Sequence, residues 1–552
     1  MSIPKPRICV FSGPRATIAN SPPLVTSNKG RLPGEKQIPS KLDHLVPQVL
    51  YEPVTVKIRK FSAHPLERDA AQVYYDDGKD YLEVTLNPED GPYPLPYVAR
   101  RNKEGSSKGV PFEANDLLDA AIDYGGRQSF YPDSSQLFKE IDRTIYGRSE
   151  DGEGGMLGSK ADFDFVRVLP SGSYTSKGEV SGVDFFPYKP YARAKNVRRG
   201  DLARVTNIVQ NAVSTGNYEG VIWLEGSPHI EETLYWLNLL IDTDLPIVGN
   251  AAQRTHGELS NDGDRNIVDA VDYILSKKGR GVGAVSIQDQ VIFASREVKK
   301  GDDRPGGYKA TGGHGGILGT VKSGSVTVWY RPNFKHTSSS EVNMRKIPER
   351  VEFYDRLDDS KPTFIQVKKG DLHKNGNGEG ELLSESIPRV HIVKYSHYSQ
   401  EDENENPDDE VDILARISRA LEDQSDHDGG LIGVESKRSN KPKMHGFVLE
   451  GSSPYAKGTI PQMKALQIAT FSGMPVVRVG RSDPGGRVVT DENDFTIEGS
   501  NLDANKARIL LIASLLKLGR LPKAKDARNP TSKEKDEARE RLREFQNIFE
   551  SH

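Results

Sequence analysis

The feature that most constrains this chain is a phrase it uses twice. Residues 220–228 read GVIWLEGSP and residues 446–454 read GFVLEGSSP. Each is a continuous apolar run entering a Glu-Gly-Ser turn with proline. A helical stretch follows, then a short strand opened by proline, DLPIVGN at 244–250 and GMPVVRVG at 473–480. Apolar runs this short and unbroken need cover on both faces, which a parallel sheet between helices supplies. The echo therefore speaks for one architectural unit used in two lobes, and says nothing yet about function.

The flanking pattern agrees. Leu202, Val205, Ile208, Val209, Ala212 and Val213 have helical spacing, so 200–214 reads as an amphipathic helix. Helices at 231–242 and 265–277 and a hairpin-like pair at 282–295 complete the first series, and RICVFS at 7–12 reads as a buried strand. The second series opens with a strand at 390–393 and continues through helices at 411–422, 460–472 and 503–518. In the charged tail from Ser532, Leu542, Phe545, Ile548 and Phe549 recur at helical spacing and predict a docking helix. Length alone, 552 residues at about 150 per domain, suggests three or four domains. The alternation speaks for α/β lobes with mostly parallel sheets, and the motif order of the family resemblance given below reduces the count to two Rossmann-like lobes with large insertions. The N-terminal lobe is expected over 1–345, with an insertion at about 50–180, a linker over 346–387, and a smaller α/β lobe with its charged helical tail over 388–552. The insertion contains strand-like VTVKIRKF and YLEVTL and a helix near 114–124. Glu401–Glu410, with seven acids in ten positions, reads as a solvated loop.

Composition excludes several functions. Lys plus Arg number 75 and Asp plus Glu 79, a net charge of −4, without the basic excess of a dedicated nucleic-acid binder. A single cysteine, Cys9, excludes a disulfide framework or a CxxC metal module. The 12 histidines show no HExxH or Cys/His spacing, so neither a metal nor a cofactor is expected. No apolar run approaches the roughly 18 residues of a membrane span, and Met1–Pro6 lacks an apolar signal core, so the expectation is a cytoplasmic protein with no membrane partner. Gly105–Gly109 fits G-x-S-x-G but has no strand before it, and Gly312–Gly316 lacks nucleotide-binding spacing.

Open parallel sheets hold ligands at the carboxyl ends of their strands. Four turns meet that condition: Gly13–Ser21, Gly226–Glu231, Gly249–Gly263 and Gly451–Gly458. They carry Thr17, Ser227, Ser260 and Asp262, and Lys300 follows the hairpin. A hydroxyl nucleophile needs a group to take its proton, and a neutral, desolvated lysine can do so, which suits acyl transfer. Structural readings stand beside this. Ser227-Pro228 is also a helix start, with serine as N-cap and proline at the first helical position, and Asp262-Gly263 is also a turn signal.

In order, these segments resemble the bacterial-type asparaginase/glutaminase family. FSGPRATIA at 11–19 stands where the family has its Thr-Gly-Gly-Thr-Ile-Ala signature. EGSPHIEET at 225–233 partly matches His-Gly-Thr-Asp-Thr with its following Glu-Glu-Thr. SNDGDRN at 260–266 matches Ser-x-Asp-Gly-x-x-Asn, and REVKK at 296–300 matches Arg-Asp-Val-x-Lys with Glu for Asp. FKHT at 334–337, PVVR at 475–478 and NKARILL at 505–511 recur in the same order. The resemblance implies an asparaginase-like fold whose smaller lobe completes a neighbour's site, and hence a homodimer or homotetramer. It implies a small-molecule amide substrate and an acyl-enzyme on threonine, with Thr17 as nucleophile, Ser227 in place of the second catalytic threonine, and Lys300 as the activating lysine. Arg15, Gly226, Pro228, Ser260 and Asp262 fall at substrate-binding positions.

The departures redirect the expectation. Pro228 replaces an aspartate that in the family joins the catalytic triad and binds the substrate's α-ammonium, and proline offers neither charge nor N–H. Arg15 and Ala16 replace two glycines before the nucleophile, and no tyrosine lies between Thr17 and Val49. An ammonium group would go unpaired in such a site. The reading is an amidohydrolase with a substrate other than asparagine; the alternative is a degenerate relative that binds a small molecule without turning it over.

Overall fold

The structure, a computed structural model, describes residues 7–12, 45–48, 54–58, 82–86, 93–96, 164–167, 199–254, 262–311, 314–353, 363–369, 380–395, 406–422, 445–481, 488 and 491–552. In the N-terminal lobe these form β1 (Arg7–Ser12), β2 (Asp164–Arg167), α1 (Asp201–Ser214), β3 (Gly220–Leu224), α2 (Ile230–Leu240), β4 (Ile247–Asn250), α3 (Gly263–Leu275), β5 (Ala284–Gln288) and β6 (Val291–Ala294). A two-stranded ribbon, β7 (Val298–Lys300) and β8 (Tyr308–Ala310), precedes β9 (Ile317–Lys322) and β10 (Ser325–Val328).

The main sheet has eight strands in the order β10-β9-β6-β5-β4-β3-β1-β2. From β2 to β5 every pairing is parallel. From β5 to β10 every pairing is antiparallel, a run of hairpins that needs no crossover helix. Ile8, Val221, Ile222, Ile247, Val248 and Val285 are all 0% exposed, which accounts for apolar runs without alternation. Helices α1 and α2 pack with one face of the sheet and α3 with the other. In register, Ser12 pairs with Leu224 and Leu224 with Asn250, so β1, β3 and β4 end together at one edge.

The second lobe contains β11 (Arg389–Lys394), α4 (Val411–Glu422), β12 (His445–Gly451), α5 (Ile460–Phe471), β13 (Val476–Gly480), β14 (Ile497–Glu498), α6 (Ala504–Leu518) and α7 (Ser532–Ser551). Its four strands run in the order β11-β12-β13-β14, all parallel. The tail helix docks as its spacing predicts, burying Leu542, Phe545, Ile548 and Phe549.

The lobes share a core. Tyr235, Trp236, Leu239 and Leu240 of α2 join Leu510, Leu511 and Leu515 of α6 in one apolar cluster. The stretch expected as a linker adds to it: Val351, Ile365, Val367, Leu382 and Ile387 are buried there, and paired segments at 350–353 and 363–366 run through it. Polar ties cross the same boundary. Lys506 Nζ donates to the carbonyl of Ser295, Arg508 pairs with Glu232 at 2.5 Å, and Arg296 Nη1 donates to Asn501 Oδ1 at 2.6 Å. The expected helix near 114–124 and the acidic loop before Asn406 lie outside the described residues.

Candidate active site

The edge where β3 and β4 end carries a cluster of hydrogen-bonded polar side chains. Ser227 stands three residues beyond β3 and is half-buried, and its peptide bond to Pro228 is cis. The helix-start reading of this pair is corrected here. Helix α2 begins at Ile230 with His229 in the cap position and no side-chain cap, because Gly226 O and Pro228 O accept from the amides of Ile230 and Glu231. The serine hydroxyl is thereby left for other partners.

Those partners come from the β7–β8 ribbon and from the loop after β4. Tyr308 Oη donates to Ser227 Oγ at 2.7 Å, and Gln253 Nε2 lies 3.1 Å from the same oxygen. Tyr308 is 6% exposed, and burial pushes its phenol above its ordinary range, so it remains a proton-bearing donor. Gln253 is held by its backbone: Asp262 accepts from the amides of Gln253 and Arg254 through contacts of 3.0–3.1 Å. Asn266 fixes the same loop by donating to Ala251 O at 2.8 Å and accepting from Asp289 N at 2.9 Å. Asp262 thus holds the Gln253 loop in place, and Pro228 is exposed.

Lys300 faces the same site indirectly. In the ribbon it is the register partner of Tyr308, and cross-strand partners project from one face. Its ammonium is paired to Asp303 Oδ1 at 2.5 Å, and its backbone N–H donates to Glu231 Oε1 at 2.5 Å. Burial raises the Glu231 carboxyl above its usual range. The neighbouring Lys299 points the other way, to Asp503 of the second lobe at 3.8 Å.

Glu225, two residues before Ser227, is 4% exposed and accepts from Trp223 Nε1 at 2.8 Å. Burial drives its carboxyl up to about 8, so at neutral pH it is mostly protonated. The structure therefore groups Ser227, Gly226, Pro228 and Asp262, with Lys300 across the ribbon. Arg15, Thr17 and Ser260 lie outside the described residues. Tyr308, Gln253 and Glu225 belong to this candidate cluster and were given no role from the sequence.

With that geometry in place, likeness to known proteins is informative. Residues 182–333 match the family model described as asparaginase, N-terminal. The chain resembles the asparaginase/glutaminase family. It is 30% identical over 207 residues to the glutaminase-asparaginase of Acinetobacter glutaminasificans, covering 36% of this chain and 61% of that protein. It is 27% identical over 240 residues to the glutaminase-asparaginase of Pseudomonas fluorescens biotype A, covering 40% and 65%. The chain thus spans less than two thirds of the length of these relatives. Among solved structures, a probable cytoplasmic L-asparaginase from Campylobacter jejuni superposes with a TM-score of 0.46 at 17% identity, over 71% of this chain and 92% of that one. The asparaginase model ends at 333, beyond the ribbon that carries Lys300 and Tyr308. No helix among the described residues is long and apolar enough to cross a membrane.

Proposed function

We propose that the chain is an asparaginase-like amidohydrolase, cleaving a C–N amide bond through a threonine acyl-enzyme on a substrate other than asparagine. The observation that carries this reading is the Ser227 hydroxyl at the carboxyl end of a central parallel strand, receiving hydrogen bonds from Tyr308 and Gln253. Thr17 is the nucleophile: its oxygen attacks the amide carbon, and its proton passes through Ser227 to the departing nitrogen. The C–N bond breaks and ammonia leaves; water then attacks the ester carbon, its oxygen departs in the carboxylic acid product, and its proton restores the Thr17 hydroxyl. Tyr308 stays on one lone pair of Ser227 Oγ and stabilises the charge that gathers there, and the Thr17 proton takes the lone pair that Gln253 releases. Ser12 pairs level with Leu224 at the end of β3, and Thr17 follows five residues later in the sequence.

The carboxylates near the site favour a substrate without a free α-ammonium. Asp262 is taken up by two backbone amides, one oxygen of Glu231 is taken up by the Lys300 amide, and Pro228 has no charge. Arg15, Gly226, Ser260 and the Pro228 surface belong to the substrate side of this reading, and a homodimer or homotetramer is its assembly. Ammonia release should be faster from succinamate or glutaramate than from asparagine or glutamine, and Thr17→Ala should abolish it. Faster turnover of asparagine would overturn the substrate reading. The Lys300–Asp303 ion pair favours the second reading, a binding protein, because a paired ammonium is a poor base. Saturable succinamate binding with no ammonia from any amide would select it.

A further inference from the structure

At the opposite edge of the N-terminal sheet, where β5 begins at Ala284, lies a cleft of about 540 Å³. Its volume falls in the range of small-molecule sites. Trp329 and Tyr330 stand on its wall, 55% and 59% exposed, and Phe334 lies under the Arg296 guanidinium at 3.7 Å. Arg296 is itself only 5% exposed. Its Nε donates to a main-chain oxygen of His552 at 2.6 Å and its Nη1 to Glu297 at 2.9 Å and Asn501 at 2.6 Å. Nη2 has no acceptor among the described residues, and the hydroxyl of Ser295, 1% exposed and lining the same cleft, has no partner either.

We propose that this cleft is a second small-molecule site, separate from Ser227, that takes a small aromatic monocarboxylate. A buried guanidinium N–H and a buried hydroxyl without partners are costly, and a carboxylate is the acceptor that answers both. Arg296 and Arg331 line the cleft beside the acid Glu297. Arg331 is braced by donating to the carbonyls of Arg280 and Gly281 at 3.1 and 3.3 Å. The exposed indole and phenol supply a flat apolar wall for the ligand's ring.

The protein contains its own reporter. Of its three tryptophans, Trp223 and Trp236 are 1% and 0% exposed, so acrylamide quenching reads Trp329. Benzoate titrated into the full chain should protect Trp329 with a dissociation constant below about 1 mM, and uncharged benzamide should bind at least tenfold more weakly. Ser295→Ala and Arg296→Lys should each weaken benzoate several-fold or more, with folding checked by circular dichroism. If Arg296→Lys unfolds, Ser295→Ala and Trp329→Phe carry the test. In Trp329→Phe the fluorescence response must vanish while calorimetry still detects benzoate. Equal binding of benzamide and benzoate, a response that survives Trp329→Phe, or no binding at all would overturn the assignment. None of these readouts depends on amide hydrolysis.

Discussion

The two Glu-Gly-Ser turns begin alike and end differently. Both follow a buried parallel strand, and both have a cis proline, after Ser227 and after Ser453. In the first, Glu225 is buried against Trp223, and the serine hydroxyl is held by a ribbon from elsewhere in the chain. In the second, Glu450 is ion-paired to Lys394 at 3.4 Å, and the turn closes on itself through a bridge between Ser452 and Lys457. There Thr459 caps α5 in a capping box with Gln462. Gly451 admits that closure because a Cβ would fall 2.2 Å from the backbone of Ala456. The same phrase thus builds a strand-to-helix corner in each lobe. What packs on that corner sets the partners of its serine.

That contrast can be broken at several points. Ser227→Ala should lower amide turnover about a thousandfold, whereas Ser452→Ala should leave it within about fivefold; equal losses would erase the distinction. Next in size is the buried carboxyl. The folded state holds the Glu225 proton up to about 8, against 4.5 for a free side chain, so between those values the folded chain binds more protons than the unfolded one. Stability contributed by this group is complete below 4.5 and lost as pH rises through 8. Relative to Glu225→Gln, the wild type should lose on the order of 4 kcal/mol across that window in denaturant titrations. A parallel pair of curves would place the charge in solvent.

Smaller effects sharpen the comparison. Gly451→Ala should destabilise the second lobe by about 3 kcal/mol, read as a lowered unfolding midpoint. Tyr308→Phe should reduce kcat about tenfold with KM little changed, the value of one hydrogen bond to a developing charge. Smallest of all, Lys394→Met should alter stability by less than about 0.5 kcal/mol, since that lysine side chain is 72% exposed.

Much of the frame was readable in advance, because runs such as 221–224 and 476–479 are buried on both faces and leave an unbroken apolar trace. Helix 411–422 has the bounds its periodicity predicts. The ribbon was not readable: VKK and YKA have no apolar run, and its place comes from Glu231, Asp503 and Ser227 rather than from propensity. Gly306-Gly307 between the two segments was the available hairpin signal. Tyr308 lies 81 residues from Ser227, so no local pattern joins them. The Ser-Pro pair misled because a cap and a strand-end turn use the same residue types, and only the helix start at Ile230 separates them.

The ribbon also restricts how this protein can evolve. Lys299 and Lys300 are adjacent, yet one reaches Asp503 and the other lies beside Tyr308, because successive strand residues face opposite ways. Gain or loss of a single codon within 298–300 or 308–310 would exchange those faces and turn the phenol from Ser227 toward the other lobe. Substitutions at these positions can be tested one at a time by selection, whereas a length change alters both contacts together. Lineages carrying this site should therefore vary here in letters and not in spacing, with insertions confined to the loop between the two strands.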